Sequence, residues 1–106
     1  MLFQHVAKAD ELLKVAVAGL NHDHVFLLIN LYKDKKVDII GIAESNKTLF
    51  SKIQAQYNLP QSIFYNDLST LLKHVKPDVV LAYNPTNEHI HVAETCLPLK
   101  IPVMVE

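Results

Sequence analysis

The feature that most constrains the fold is an alternation of two kinds of segment along the chain. Compact runs rich in β-branched residues alternate with longer stretches whose apolar residues recur at helical spacing, a pattern typical of α/β proteins. The strand candidates are residues 15–19, 37–43, 63–65, 79–82 and 102–105. Most of these runs are apolar on both faces, so helices must cover the sheet on two sides. A parallel sheet between two helical layers is therefore expected.

Between the strand candidates, four stretches carry the helical period, and each starts beside a residue that can cap a first turn. The helix candidates are residues 22–32, 46–57, 67–75 and 86–97. Side-chain oxygens that can accept from the unpaired N–H groups of a first turn are supplied by Asn21, Ser45, Asp67 and Thr86. Prolines at positions 60, 77 and 98 fall just beyond three of these helices, where a missing N–H does least harm.

The order of these elements predicts the topology of the sheet. Crossovers between parallel strands are right-handed, so five strands joined by four helices are expected in the order 3-2-1-4-5. The fold class expected is α/β, a doubly wound parallel sheet of the Rossmann type with helices on both faces. Ligands of such sheets bind where the strand order reverses, here between strands 1 and 4. Residues 13–106 are expected to form this domain, after an N-terminal extension or short helix at residues 1–12.

Length and composition exclude several functional classes. The chain has 106 residues, of which half are hydrophobic and a fifth charged, enough for one core and unlike a disordered chain. Its longest apolar run, residues 25–29, is far shorter than the roughly 20 residues of a membrane helix. Scattered lysines and a net charge of −1 leave no cationic face for nucleic acid. A single cysteine and no signal-like start predict a cytoplasmic protein.

Residues 19–24 join the first predicted strand to the first predicted helix and are a degenerate form of the G-x-G-x-x-G motif. Gly19 permits the tight turn because it has no Cβ. Asn21 stands at the second glycine position and tolerates left-handed backbone, whereas His24 at the third sets the helix farther from the strand. Since a helix N-terminus still attracts an anion, the turn predicts a pyrophosphate site in a dinucleotide-binding domain. The alternatives are an ordinary strand-end turn and, for Asp23, a role in stabilising the first helical turn.

Glu44 closes the second predicted strand, 25 residues after Gly19. This is close to the offset of about 20 residues at which an acid accepts hydrogen bonds from the adenosine ribose hydroxyls. Its charge would repel a 2′-phosphate, so NAD is favoured over NADP, although the nearby Lys47 leaves NADP open. The alternative is an acid favoured at a helix start by the helix dipole.

Two H-x-H pairs, His22/His24 and His89/His91, flank the expected reversal of strand order and raise the alternative of a zinc or iron site. Residues two apart on a helix point about 200° apart, however, so neither pair can chelate as a unit. We therefore expect no metal, and we expect one histidine of each pair to face the ligand crevice. Cys96 is expected to be a small buried residue of the fourth helix.

From about Lys14 onward, the chain resembles the N-terminal nucleotide-binding domain of the glucose-fructose oxidoreductase, inositol dehydrogenase and MocA (Gfo/Idh/MocA) family. The resemblance rests on the glycine turn ending in histidine, the strand that closes on an acid, and Ile-Phe-Tyr-Asn-Asp-Leu at residues 63–68. It continues through Pro-Asp-Val-Val at residues 77–80 and an Asn-Pro turn at residues 84–85. Residues 101–106 resemble the strand that leads into the family's Glu-Lys-Pro motif.

The resemblance implies a bound dinucleotide, NAD or NADP, and assigns residues to its parts. Around the pyrophosphate it places Gly19, Leu20, Asn21, His22 and His24. At the adenosine ribose it places Glu44 with Ser45. Along the nicotinamide side it places Asn84, Pro85, Thr86 and His89, with Glu106 at the edge. It assigns no catalytic residue and no metal ligand within this chain.

The activity implied is hydride transfer between the nicotinamide and a sugar or polyol hydroxyl. In the family, a lysine near the reacting carbon would follow Glu106, and a second domain binds the substrate and makes oligomer contacts. We therefore expect a truncated chain that binds dinucleotide but is inactive alone, with a sugar-like substrate only in a full-length protein; a homo-oligomer remains open. The alternative is a non-catalytic nucleotide-sensing or interaction module of the same fold.

Overall fold

The computed structural model describes residues 12–21 and 23–105, which form an α/β domain. The strands are β1 (Leu13–Ala18), β2 (Val37–Ala43), β3 (Phe64–Tyr65), β4 (Val79–Ala82) and β5 (Val103–Val105). The helices are α1 (Val25–Lys33), α2 (Lys47–Tyr57), α3 (Leu68–His74) and α4 (His89–Cys96). Short 3₁₀ turns lie at Gln61–Ile63, Thr86–Glu88 and Leu97–Leu99. The expected extension or short helix at residues 1–12 lies, except for Leu12, outside the described residues, as do His22 and Glu106.

The five strands form one parallel sheet in the order β3-β2-β1-β4-β5. This confirms the expected fold class and strand order. At the centre, β1 pairs with β2 on one side and with β4 on the other, so that Val17 is level with both Ile42 and Leu81. The strand order therefore reverses between β1 and β4, as predicted, and the carboxyl ends of both strands reach the same edge of the sheet.

Side chains along β1 alternate between two cores, one on each face of the sheet. Val15 and Val17 pack with apolar residues of α1 and α2, whereas Ala16 and Ala18 pack with those of α3 and α4. All four are at most 3% exposed. The sequence of β1 is apolar throughout because both of its faces are buried, which is typical of a central parallel strand.

Two of the four predicted helix caps fall at or beside the observed cap. The Asp67 carboxylate accepts a hydrogen bond from the backbone N–H of Thr70 at 2.8 Å, and this bond lowers the pKa of the carboxyl. The prediction of Ser45 as the cap of α2 is wrong by one residue. The observed cap is Asn46, whose Oδ1 accepts from the backbone N–H groups of Thr48 and Leu49 at 3.1 Å.

The other two predicted caps, Asn21 and Thr86, are wrong because each helix begins later than its apolar pattern. Helix α1 begins at Val25, after His24, which makes no side-chain cap bond. Thr86 begins a 3₁₀ turn instead of an α-helix, and α4 starts only at residue 89. At both places a tight turn, at residues 23–24 and at Thr86–Glu88, directly precedes the helix.

Among the described residues, no helix covers the apolar face of the sheet where β4 and β5 lie beyond α1. A groove of about 260 Å³ runs there between Leu28 of α1 and Met104 of β5, and Leu81 and Tyr83 line it. Met104 is 63% exposed. In the described part of the chain, no helix is long and apolar enough to cross a membrane.

Candidate functional site

A cleft of about 390 Å³ opens at the carboxyl edge of the sheet, above the reversal of strand order. The loops that follow β1, β2, β3 and β4 all contribute to it. Residues from each of these loops in turn are Gly19 and Asn21, Glu44 and Asn46, Asn66 and Asp67, and Asn84. A volume of this size is within the range of small-molecule sites, and its position is where doubly wound sheets bind ligands.

Gly19 brings the first and fourth of these loops into contact. Its φ is +87°, a conformation that side-chain-bearing residues rarely adopt. A Cβ on Gly19 would lie 2.6 Å from Cβ of Asn84 and 2.8 Å from its backbone N. Its own N–H donates to the carbonyl of Ala43 at 2.8 Å. Gly19 is therefore required both by its backbone conformation and by the close approach of Asn84.

Glu44 ties the first loop to the second. The side chain is buried, with 6% of its surface exposed. Its Oε1 accepts from the backbone N–H of Leu20 and its Oε2 from the backbone N–H of Asn46, both at 2.9 Å. Each carboxylate oxygen can accept two hydrogen bonds, so the two bonds from described residues leave capacity for hydroxyl donors. Glu44 thus has a structural role that its position at a strand end did not reveal.

The predicted site residues divide into those that line the cleft and those that do not. Lining it are Gly19, Asn21, Glu44, Ser45 and Asn84. The side chain of Leu20 is 3% exposed and belongs to the core, so that residue offers only its backbone to the cleft side. The remaining described members of the predicted set do not line the cleft, and they are His24, Pro85, Thr86 and His89.

Asn84 and His89 form a unit in the loop after β4. Nε2 of His89 lies 3.1 Å from the backbone carbonyl oxygen of Asn84, and because a carbonyl only accepts, this nitrogen donates. The Oδ1 atom of Asn84 is buried and has no hydrogen-bond partner in the described structure. Buried polar atoms normally have partners, so an unpartnered one beside a cleft requires an explanation.

Several cleft residues were not found from the sequence, and they are Asn46, Asn66, Asp67, Ser69, Glu88 and His91. Asp67 was identified only as a cap. The available signal was general: in a parallel sheet every polar residue just after a strand lies near the binding edge, and Asn66 follows β3 directly.

The charges that line the cleft are acidic. Glu44, Asp67 and Glu88 contribute carboxylates, and no lysine is among the described lining residues. A phosphate group here would depend on backbone N–H donors and on the dipole of α1.

Of the second histidine pair, His91 lines the cleft, whereas His89, the member that the resemblance placed along the nicotinamide, is partly buried and bonds to the Asn84 carbonyl. Within residues 12–21 and 23–105, no three His, Cys, Asp or Glu side chains come together in a way that could hold a metal ion. Cys96 is fully buried on α4, as predicted, and burial raises the pKa of its thiol.

Comparison with known proteins identifies the family. Residues 13–106 match the family model GFO_IDH_MocA, described as an oxidoreductase family with an NAD-binding Rossmann fold. Among curated proteins, no sequence matches this chain significantly. The match spans all the segments that carried the resemblance in the sequence, from the glycine turn through Glu44 and the loop after β4 to residues 101–106.

Solved structures share the fold. An oxidoreductase from Agrobacterium radiobacter in complex with NAD+, L-tartaric acid and magnesium aligns with a TM-score of 0.72 at 20% identity. The alignment covers 88% of this chain and 27% of the oxidoreductase chain. A dehydrogenase from Chromobacterium violaceum aligns with a TM-score of 0.71 at 18% identity, and the alignment covers 90% of this chain and 28% of the dehydrogenase chain.

UDP-N-acetylglucosamine 3-dehydrogenase GnnA from Acidithiobacillus ferrooxidans aligns with a TM-score of 0.68 at 19% identity. The alignment covers 90% of this chain and 29% of the GnnA chain. The chain therefore spans less than a third of the length of these three proteins. The strand order of the parallel sheet reverses at the cleft, and the family model matches the chain from the first strand onward. The chain therefore belongs to the Gfo/Idh/MocA oxidoreductase family, as an NAD-binding Rossmann domain.

Proposed function

We propose that residues 13–106 are the cofactor-binding domain of an oxidoreductase that transfers a hydride between NAD and a hydroxyl-bearing carbon of a sugar or polyol. The observation that carries the proposal is the cleft at the reversal of strand order, with Gly19 at its centre. NAD supplies the chemistry when bound, because its nicotinamide accepts or donates the hydride. The residues of this chain bind and orient the dinucleotide.

The cleft residues fit a dinucleotide in three respects. Glu44 keeps spare acceptor capacity for the adenosine ribose hydroxyls, with Ser45 beside it. The close turn at Gly19 and Asn21, which precedes the positive end of the α1 dipole, suits the pyrophosphate. Asn84, which follows β4 on the other side of β1 from Glu44, lines the part of the cleft that remains for the nicotinamide half.

The choice of NAD over NADP follows from charge. A 2′-phosphate would meet the buried carboxylate of Glu44, and no lysine lines the described cleft to offset that repulsion. Like charges brought together in a partly buried site repel strongly. We propose that this chain discriminates against NADP through Glu44.

The substrate class is supported by what two structural neighbours are named for. One is named as a UDP-N-acetylglucosamine 3-dehydrogenase, and another is in complex with L-tartaric acid. UDP-N-acetylglucosamine and L-tartaric acid both bear hydroxyl groups. Hydride transfer needs a substrate held at the nicotinamide and an acceptor for the hydroxyl proton. We propose that this chain supplies the cofactor half of such a site and is inactive alone, and that the substrate is held by residues beyond 13–106.

Isothermal calorimetry with NAD+ and NADP+ tests the binding proposal. We expect saturable heat with NAD+ and weaker binding of NADP+. Glu44→Gln should weaken NAD+ binding and narrow the difference between the two cofactors, while Gly19→Val should abolish binding. Glu94→Gln, which removes an exposed carboxylate of α4, serves as the matched control and should bind as the parent does. A folded parent that gives no heat with millimolar NAD+ contradicts the proposal.

A second candidate function is a nucleotide-sensing or interaction module that does not take part in catalysis. The observation that favours it is the acidic cleft, together with Asn21 and His24 at two glycine positions of the motif. Thermal-shift measurements with NAD+, ADP, AMP and coenzyme A separate the two functions. Stabilisation by NAD+ alone supports the oxidoreductase domain, whereas equal stabilisation by the mononucleotides supports the sensor.

A further inference from the structure

The groove between α1 and β5 is an apolar surface that no described helix covers. None of the described residues that line it carries a charge. Three of them, Leu13, Met104 and Val105, are 51%, 63% and 55% exposed. Single exposed apolar side chains are common, but several that share one groove mark a surface that binds another segment or chain. We therefore expect the groove to have an apolar occupant.

The groove begins where the N-terminal segment, residues 1–11, joins the described part of the chain. Leu13, the first residue of β1, lines the groove at the amino ends of the strands and is level with Val37 of β2. Tyr83, directly after β4, lines it at the carboxyl ends. From Val79 to Tyr83 an extended chain spans about 13 Å, which gives the length of the groove along the sheet. The N-terminal segment is thus attached at one end of this groove.

The sequence of the N-terminal segment has the apolar pattern that such a groove requires. An α-helix would bring its apolar residues to one side, and they are Leu2, Phe3, Val6 and Ala9. Polar residues would occupy the opposite side, and they are Gln4, Lys8 and Glu11. Along the helix axis, Leu2 and Ala9 would lie about 10 Å apart, which fits within the length of the groove.

The connection to β1 favours an occupant from the same chain. Residues 10–12 would link the helix to Leu13, and connections of about 2–6 residues are usual between a helix and the following strand. A short link keeps a segment near its site at an effective concentration in the millimolar range, whereas a second copy must bind from dilute solution. The helix would lie beside α1 on the sheet, which is how helices cover parallel strands.

We propose that the N-terminal segment docks as an amphipathic helix in the groove between α1 and β5 and covers Met104. Docking would complete the helical layer that α1 and α2 form on this face of the sheet. The inference goes beyond the cofactor site and does not rest on it, because no described residue lines both the groove and the cleft.

Methyl NMR of the full chain, labelled with ¹³C at the methionine methyl groups, tests the docking. The chain has two methionines, Met1 and Met104, so the Met104 resonance can be followed directly. Val6→Asp places a charge on the apolar side of the segment, and Gln4→Asp, the matched control, places the same charge on the polar side. We expect the Met104 resonance to move in Val6→Asp and to keep the parent position in Gln4→Asp. A Met104 resonance that is the same in all three proteins overturns the inference.

Thermal unfolding tests the contact between the segment and Met104 independently. If the segment covers Met104, Met104→Ala should lower the melting temperature by about 4 °C. In the Val6→Asp background the same substitution should have little effect, because the contact is already lost. Equal effects in the two backgrounds overturn the contact. Should Val6→Asp fail to fold, Val6→Ser removes the apolar side chain without adding a charge, and the same results are expected.

A spin label attached to Gln4→Cys distinguishes docking within one chain from docking on a second copy. Cys96 is fully buried, so the label should attach at position 4. We expect the label to broaden the Met104 resonance of its own chain. In a mixture of spin-labelled chains without ¹³C and ¹³C-labelled chains without the spin label, we expect no broadening. Broadening in the mixture would show that the segment occupies the groove of a second copy, and the absence of broadening in both samples would show that it does not dock; either result overturns the inference. None of these outcomes depends on whether the chain binds NAD+.

Discussion

The Glu44 carboxylate accepts a hydrogen bond from the backbone N–H of Leu20 at 2.9 Å, although 24 residues separate them in the chain. The other carboxylate oxygen accepts from the N–H of Asn46, again at 2.9 Å. One buried acid thus joins the turn after β1 to the turn after β2. The geometry of the candidate site depends on this acid before any cofactor is bound.

Glu44→Gln should destabilise the chain even without ligand. Glutamine has one oxygen in place of two, so one of the two backbone N–H groups loses its acceptor and faces an NH₂ group. An unsatisfied buried donor costs about 1–3 kcal/mol, and urea denaturation measures that loss. Glu94→Gln, at an exposed position of α4, should change the free energy of unfolding by no more than about 0.5 kcal/mol. Equal stability of the two variants would show that the Glu44 bonds contribute nothing.

Substitution of the two glycines should have unequal effects. In Gly19→Ala the new methyl group meets the backbone of Asn84 at 2.8 Å, and φ is +87°, so about 2–5 kcal/mol should be lost. In Gly41→Ala it meets the Leu71 side chain at 2.8 Å with no unusual φ, so about 1–3 kcal/mol should be lost. Urea denaturation of both variants measures the two losses of stability. A Gly41→Ala variant as unstable as Gly19→Ala would contradict the prediction that Gly19→Ala loses more.

Replacing Lys100 by glycine should increase the stability of the chain. The φ of Lys100, 58°, lies in the left-handed region at the end of the Leu97–Leu99 turn, where a side chain is unfavourable. Lys100→Gly should therefore stabilise the chain by about 0.5–1 kcal/mol, seen as a higher melting temperature. Asn58, also left-handed with φ 51°, is the matched control. Because asparagine tolerates this conformation well, Asn58→Gly should gain clearly less.

Acidification should weaken the start of α3 through Asp67. The bond from the Thr70 N–H holds the pKa of the Asp67 carboxyl below its ordinary value. A carboxyl whose pKa is lower in the folded chain stabilises it at pH above the unfolded value and loses that effect as pH falls through the folded value. In the Asp67→Asn variant, the asparagine side chain can cap the helix and does not titrate. Below about pH 4 the free energy of unfolding of this variant should therefore decrease less than that of the parent. Parallel urea denaturation curves at pH 6 and pH 3 make the comparison, and an identical fall in both proteins would exclude this role.

The sequence predicts the fold well for a physical reason. Strands buried on two faces must be apolar throughout, which made Val37–Ala43 and Val79–Ala82 evident. The handedness of crossovers then determines the strand order. Helix starts were less predictable, because the tight turns before Val25 and His89 follow from local winding that the apolar pattern does not record.

The candidate site was predictable only where a residue type is demanded locally. Gly19 could be found because a tight turn after a strand needs a glycine. The bond between Glu44 and Leu20, and that between His89 and Asn84, depend on which loops meet in space, so no spacing in the sequence shows them. The same is true of His91 and Ser69, which reach the cleft from α4 and α3.

The most direct test of the central claim is amide NMR of the chain during titration with NAD+. The account predicts shift changes for Gly19, Glu44 and Asn84, which line the cleft, and none for Lys76 or Leu97, which do not. Smaller changes are expected with NADP+. Resonances that stay unmoved at millimolar NAD+, or that move instead around Met104 in the apolar groove, would contradict a dinucleotide site at the reversal of strand order.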